Sequence, residues 1–250
     1  MVKKIIMWGV FIVIIVLIVA YFWRNWLVKK AVEAGGEYAL GVETVLGSAE
    51  VSLRGGELEL NHLDFRNPKG FEGGDLLDIN FGQVVVDIGS IFGQEVDIDT
   101  LLLDEIKINF DQVDNKGNFM IVLNHIKSLD LGSSDEKSKK IKVKYISVRN
   151  LSVDGSLTVM GKEQYKKSFA VPDFTMRDIG GKSGAPLAQI MAIVVKEIIA
   201  RAAAVGSGQL SGKLGDSLNE AKNNIVKQAE SEVKSKIENL GKKLIGGGNK

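Results

Sequence analysis

The chain has 250 residues and a mass of 27.2 kDa, 45% apolar and 25% charged, which is enough for a core and excludes wholesale disorder. Its 32 basic and 31 acidic residues leave a net charge of +1, so there is no electrostatic reason to expect a nucleic-acid partner. Cysteine is absent, which excludes disulfides, a thiol nucleophile and thiolate metal sites, and the only histidines are His62 and His125, so a multi-histidine metal cage would have to be completed by carboxylates.

Residues Ile5 to Trp23 form an uncharged, mostly aliphatic run of 19 residues. At about 1.5 Å per residue it reaches roughly 29 Å, the thickness of a bilayer core. Trp8 lies near its start and Tyr21, Phe22, Trp23 and Trp26 at its end, where rings favour the headgroup layer; Phe11 and Leu17 lie within it. A cleaved signal would have a shorter apolar region and end in small residues. The run therefore predicts an uncleaved anchor over 1–26, with Ile5, Trp8, Phe11, Leu17, Tyr21 and Trp23 in contact with lipid. Flanking charges are nearly balanced, Lys3 and Lys4 before it and Arg24, Lys29 and Lys30 after it. The short N-terminus is placed in the cytoplasm because that leaves nearly the whole chain to be exported. Residues 1–26 hold three basic and no acidic residues, so the remainder carries 29 basic against 31 acidic, a net of −2.

Helical spacing continues from Asn25 to Leu40, weakened at Gly35-Gly36. Beyond Gly41 the apolar period becomes two. Val51 and Leu53, Leu58 and Leu60, Leu63 and Phe65, Leu77 to Phe81, Val84 to Ile88, Val96 and Ile98, and Ile106 to Phe110 alternate with polar residues, with turns at Arg54–Glu57 and Asp114–Gly117. A Ser- and charge-rich linker, Gly132 to Lys140, precedes further alternation from Ile141 to Val159 and a last strand at Phe169–Met176. About ten strands result, and clean alternation points to antiparallel pairing with one apolar face. Pro186 to Val205 reads as a core helix on that sheet. Leu214, Leu218, Ala221, Ile225, Ala229, Val233, Ile237, Leu240 and Leu244 define an amphipathic helix, suited to the domain surface, a partner helix or a membrane surface. The expected fold is α+β, mainly β: a transmembrane helix, a curved antiparallel sheet packed with a C-terminal helix, and an amphipathic helical tail. Its parts are the anchor 1–26, a β-rich domain 27–205 with its capping helix, and the tail 206–250.

Chemical signatures are sparse. Gly181-Lys182-Ser183 resembles the end of a phosphate loop, but Met176 stands where its first Gly is required. Asp97 and Asp99 share a strand face because alternation puts them there. Asp111 to Gly117 lacks the spaced acids of a calcium loop, and neither histidine has a nucleophilic partner pattern. Asn150-Leu151-Ser152 matches a glycosylation acceptor, relevant only to a eukaryotic secretory route. The expectation is a non-enzyme without catalytic residues, metal or cofactor.

The phrases LELNHLDFRNPKGF (Leu58–Phe71), LLDINFGQVVVDIGSIFGQEVDIDTLLLDEIKINF (Leu76–Phe110) and AVPDFTMRDIGGKSGAPLAQIMAIVVKEII (Ala170–Ile199), behind an N-terminal membrane helix, resemble the AsmA-like family of bacterial envelope proteins. The resemblance rests on patterned apolar positions and an Asn-Pro turn, and covers the anchor and about residues 41–199. It implies a single-pass inner-membrane protein with its bulk in the periplasm and a role in envelope lipid homeostasis. The chain departs from long family members in its length, and its tail lies outside the resemblance. Two functions are expected. In one, an apolar sheet face including Val51, Leu53, Leu58, Leu60, Ile79, Phe81, Val86, Ile106 and Ile108 binds or hands over lipid. In the other, the chain is a tethered scaffold whose sheet is sealed by its own helix and whose 214–244 helix recruits a protein.

Overall fold

The structure, a computed structural model, describes residues 23–52, 54–71, 74–129, 139–210 and 212–246. The anchor positions Ile5, Trp8, Phe11, Leu17 and Tyr21 lie outside the described residues, as do Leu53 and most of the Gly132–Lys140 linker. Among the described residues no helix is long and apolar enough to cross a membrane.

A helix over 23–40 (α1) leads into β1 (Thr44–Ser52), β2 (Glu57–Arg66), β3 (Asp75–Val86), a short 3-10 turn (Ile88–Phe92) and the 19-residue β4 (Glu95–Val113). The two-residue β5 (Lys116–Gly117) opens α2 (Asn118–Ser128). Then come β6 (Lys140–Val148), β7 (Leu151–Val159), β8 (Lys162–Val171), β9 (Phe174–Ile179), α3 (Leu187–Gln209) and α4 (Gly212–Gly246). The class is α+β, mainly β, with a nine-stranded sheet ordered β1-β2-β3-β4-β6-β9; β7 continues the line of β6 along β4, with β8 outside it.

The sheet is mixed, which corrects the expectation of an antiparallel one. β4 pairs in parallel with β6 through Glu95↔Lys140 to Leu103↔Val148, and with β7 through Ile106↔Leu151 to Val113↔Thr158. The cause is α2. The Asp114–Gly117 turn forms as expected, but its second strand is two residues long and gives way to a helix that starts the return to the head of β4, and parallel neighbours require such a crossover. Phe119, Val122 and Ile126 give α2 its buried stripe at steps of three and four. Asn118, fully buried at its first position, donates to Asn67 Oδ1 and Asn109 O, both at 2.8 Å, and accepts from the N–H groups of Asp111 and Phe119 at 3.0 and 2.7 Å. It ties α2 to β4 and to the Asn67 turn.

Alternation slips by one residue along a line crossing the sheet. On each side of that line the buried positions lie three apart rather than two: Leu46 and Ala49 in β1, Leu60 and Leu63 in β2, Ile79 and Gly82 in β3, Leu103 and Ile106 in β4, Val148 and Leu151 between β6 and β7, Val171 and Phe174 between β8 and β9. A slip confined to one strand would turn its apolar residues outward. Because every strand slips at the same level, the pairing register of β2 with β3 is continuous through it. His62 (φ 56°), Glu105 (φ 54°) and Asn150 (φ 49°) take left-handed backbone there. Polar side chains brace the line, with Asn150 Nδ2 donating to Asp104 Oδ1 at 2.7 Å and Asp173 Oδ1 accepting from Asn150 N at 3.0 Å.

Helix α1 lies along β1, the strand at one rim of the sheet. Asn25 Oδ1 accepts from Val51 N (3.1 Å), Arg24 Nε donates to Val51 O (3.2 Å), Lys29 Nζ donates to Gly47 O (3.2 Å) and Glu33 Oε1 accepts from Leu46 N (3.2 Å). These side chains occupy the positions a further strand would take. Gly36, read as a weak point of the helix, permits the approach: a Cβ there would stand 2.7 Å from the Thr44 side chain and 3.0 Å from Phe65. Helix α3 covers the apolar face, and Leu214, Leu218 and Ala221 of α4 are fully buried.

Candidate functional site

An apolar cavity of about 260 Å³ lies between α1, α3 and strands β2, β3, β4 and β6. Val28, Ala31 and Val32 of α1 form one wall and Leu187, Ile190, Met191, Val194 and Val195 of α3 another; the floor is sheet, from Leu58, Leu60, Leu63, Phe65, Ile79, Val84, Ile98, Leu101, Leu103, Ile141 and Val143. Exposure grades along three of the four strands, β3 contributing only the buried Ile79 and Val84. In β2, Leu58 is half-buried while Leu60, Leu63 and Phe65 are buried; in β4, Ile98 and Leu101 are half-buried and Leu103 buried; in β6, Ile141 precedes the buried Val143. With the exposed Ala31 and the half-buried Val28, Leu187 and Met191, these residues form a mouth between the two helices. No lining side chain can transfer a proton, and the one side-chain heteroatom is the Met191 thioether sulfur. The surface is one for hydrocarbon: a cavity of about 150 Å³ with Leu, Ile and Phe walls already admits benzene and excludes water.

The structure distributes the nine residues nominated from the sequence. Leu58, Leu60 and Ile79 line the cavity. Ile106 and Ile108, at 1% and 0% exposure, lie beyond the slip in the closed part of the core. Phe81 stands at the slip itself, half-buried, opposite Asn61 and Asp104. Val86 is half-buried at the end of β3, and Val51 lines a polar cleft with Arg24, Asn25 and Glu50. Leu53 is outside the described residues. Trp23, the one nominated anchor residue described, is 58% exposed, its ring edge-on to Trp26 with centroids 5.8 Å apart.

No family model, curated protein or solved structure matches this chain.

The sequence reading missed the α1 and α3 walls. Val28, Ala31 and Val32 repeat at three and four on the helix face that meets the sheet, and Leu187, Ile190, Met191 and Val194 do so in α3. That spacing predicted burial; which helix residues face empty volume depends on the distance between helix and sheet.

On the outer face, Asp64, Asp75 and Asp78 bring carboxylate oxygens within 4.8 Å of one another. Arg66 Nη1 grips Asp75 at 2.8 and 2.9 Å, and Lys107 pairs with Asp154 at 3.1 Å beside them. Burial, then the charge of Asp75 and a hydrogen bond to it, pushes the Asp78 carboxyl up to about 6. Its unfolded value lies near 3.9, so the folded state binds the extra proton between those two values. Stability from this group is fully present below pH about 4 and lost as pH rises through about 6. Asp78→Asn is expected to stabilise the protein at pH 8 by roughly 1 kcal/mol and to lose that advantage near pH 4. Urea unfolding at the two pH values measures it; an equal effect at both would show that Asp78 is not the titrating group.

Proposed function

We propose that the protein is a membrane-tethered, non-enzymatic lipid-binding protein of the bacterial inner membrane, with its bulk in the periplasm, which holds an acyl chain in the cavity between α1, α3 and the sheet. The AsmA-like phrases of the sequence support a place in envelope lipid homeostasis. The observation that carries the binding is the cavity wall, apolar throughout and graded from exposed rim to buried floor.

Pockets that enclose a whole small-molecule ligand are typically about 300–1,000 Å³. A volume of about 260 Å³ therefore suits part of one alkyl chain, with the headgroup left outside the mouth. At about 0.8 kcal/mol per buried methylene, six methylenes contribute about 5 kcal/mol, enough for retention and for exchange. The scaffold reading draws support from α3, which seals much of the sheet, and from α4, where Val226 is 49% exposed while Leu214, Leu218 and Ala221 are buried. It assigns the far part of α4 to a protein partner. Native mass spectrometry of the full chain, extracted in mild detergent, separates the two. Adducts of one phospholipid per chain are expected; a chain free of lipid under conditions that preserve the fold would favour the scaffold.

A further inference from the structure

We propose that a corner of the domain built from Trp23, Trp26, Ile88 and Phe92 rests in the interfacial layer of the bilayer that holds Ile5–Trp23, so that the cavity mouth is kept at the membrane surface. This rests on reading Ile5–Trp23 as the membrane stem, and goes beyond it by seating the folded domain on the lipid rather than leaving it on a free tether.

These residues share one corner. The bonds of Arg24 and Asn25 to Val51 fix the start of α1 to the last turn of β1. The turn that follows brings Gly56 O to accept from Val86 N at 2.8 Å. Gly56 has φ +66°, and a Cβ there would meet Val86 O at 2.4 Å and Ile88 Cγ1 at 3.0 Å, so the hairpin and the 3-10 turn are packed together. That turn is firmly built. Asp87 Oδ1 accepts from Gly89 N (2.9 Å), Ser90 Oγ donates to Asp87 O (2.6 Å) and accepts from Asp97 N (2.9 Å), and Lys139 Nζ reaches Ile91 O. Phe92 is nonetheless 88% exposed, with Trp23 at 58%, Trp26 at 52% and Ile88 at 39%. Rings held out in water on a hydrogen-bonded frame leave a large apolar surface uncovered.

The occupant follows from the chain itself. The 19-residue apolar run ends at Trp23, on this corner, and aromatic rings partition into the headgroup layer. Val28, on the cavity rim, is five residues further along the helix, about 7.5 Å. Acidic Asp87 and Glu95 belong to this end of the sheet together with basic Arg24, Lys139 and Lys142, the last paired with Glu95, so neither sign dominates and the contact depends on the rings and not on anionic lipid. Met160 supplies an internal comparison. It is 90% exposed at the β7–β8 turn, beside the end of β4 remote from Phe92, roughly 60 Å away along that strand.

The chain has no cysteine, so single thiols can be placed at will. Full-length Phe92→Cys and Met160→Cys, each carrying an environment-sensitive fluorophore, are reconstituted into phosphatidylcholine vesicles containing a brominated analogue. The Phe92 label is expected to shift to the blue and be quenched several-fold more than the Met160 label, unchanged by high salt or added anionic lipid. Protein that floats with the vesicles while both labels remain equally unquenched would overturn the seating and leave the stem intact. Protein that fails to float would overturn both. Ile88→Cys replaces Phe92→Cys if the latter does not fold.

Discussion

Phe119→Ala is expected to lower the unfolding free energy by about 3–5 kcal/mol, the range for truncating a buried phenylalanine in a core that cannot collapse onto the gap. Phe119 has no exposed surface and its ring tilts against Phe110, also fully buried, with centroids 4.9 Å apart. That pair contributes about 1 kcal/mol beyond its buried area. It also fastens α2 to β4, and Asn118 next to it carries four hydrogen bonds that depend on the same docking. Collapse is therefore opposed by a polar network as well as by packing. Urea unfolding of the full chain, followed by circular dichroism, measures the loss. Ile121→Ala, on the same helix but 40% exposed, is the control, expected to cost under about 0.5 kcal/mol. Equal effects at the two positions would mean that α2 is not part of the core.

Val194→Trp is expected to abolish retained lipid while leaving the fold in place. Val194 projects from α3 into the cavity, is 5% exposed, and faces a space of about 260 Å³. Enlarging a side chain in a tightly packed core costs about 1–3 kcal/mol in strain. Here the added ring has volume to enter, so it occupies the place of the alkyl chain at little cost to stability. The measurement is the lipid adduct in native mass spectra of wild type and variant, beside their urea midpoints. An unchanged adduct in a stable variant would place the lipid elsewhere.

Helices α1, α3 and α4 were legible because they need only local signals. Pro186 opens α3, Leu214-Leu218-Ala221 marks the docked face of α4, and apolar period two marks β2, β3, β4, β6 and β7, whereas the last strand expected at Phe169–Met176 straddles the break between β8 and β9. The sheet's pairing was not. In β2, Leu58-Leu60 and Leu63-Phe65 read as separate alternating runs because the phase changes between them, whereas one continuous strand passes through the slip at His62. β4 was divided in the same way at Glu105, and its parallel partners depended on α2, a helix hidden between a turn signal and a charged linker. Of the apolar face, the sequence identified Leu58, Leu60, Ile79, Ile106 and Ile108 as inward, but it also nominated Val51, which lines a polar cleft, and Phe81, which stands at the slip. It did not distinguish Leu58, Leu60 and Ile79 beside a void from Ile106 and Ile108 under a helix, since both groups repeat with the same period.

One rim of the sheet is shut to further strands, and part of the other is guarded by charge. β1 is occupied by the polar side chains of α1, and the opposite rim is defended at β8 by exposed Lys162, Lys166 and Lys167. A second copy of this chain therefore finds no free strand edge at β1, and side-by-side extension of the sheet is blocked at that rim.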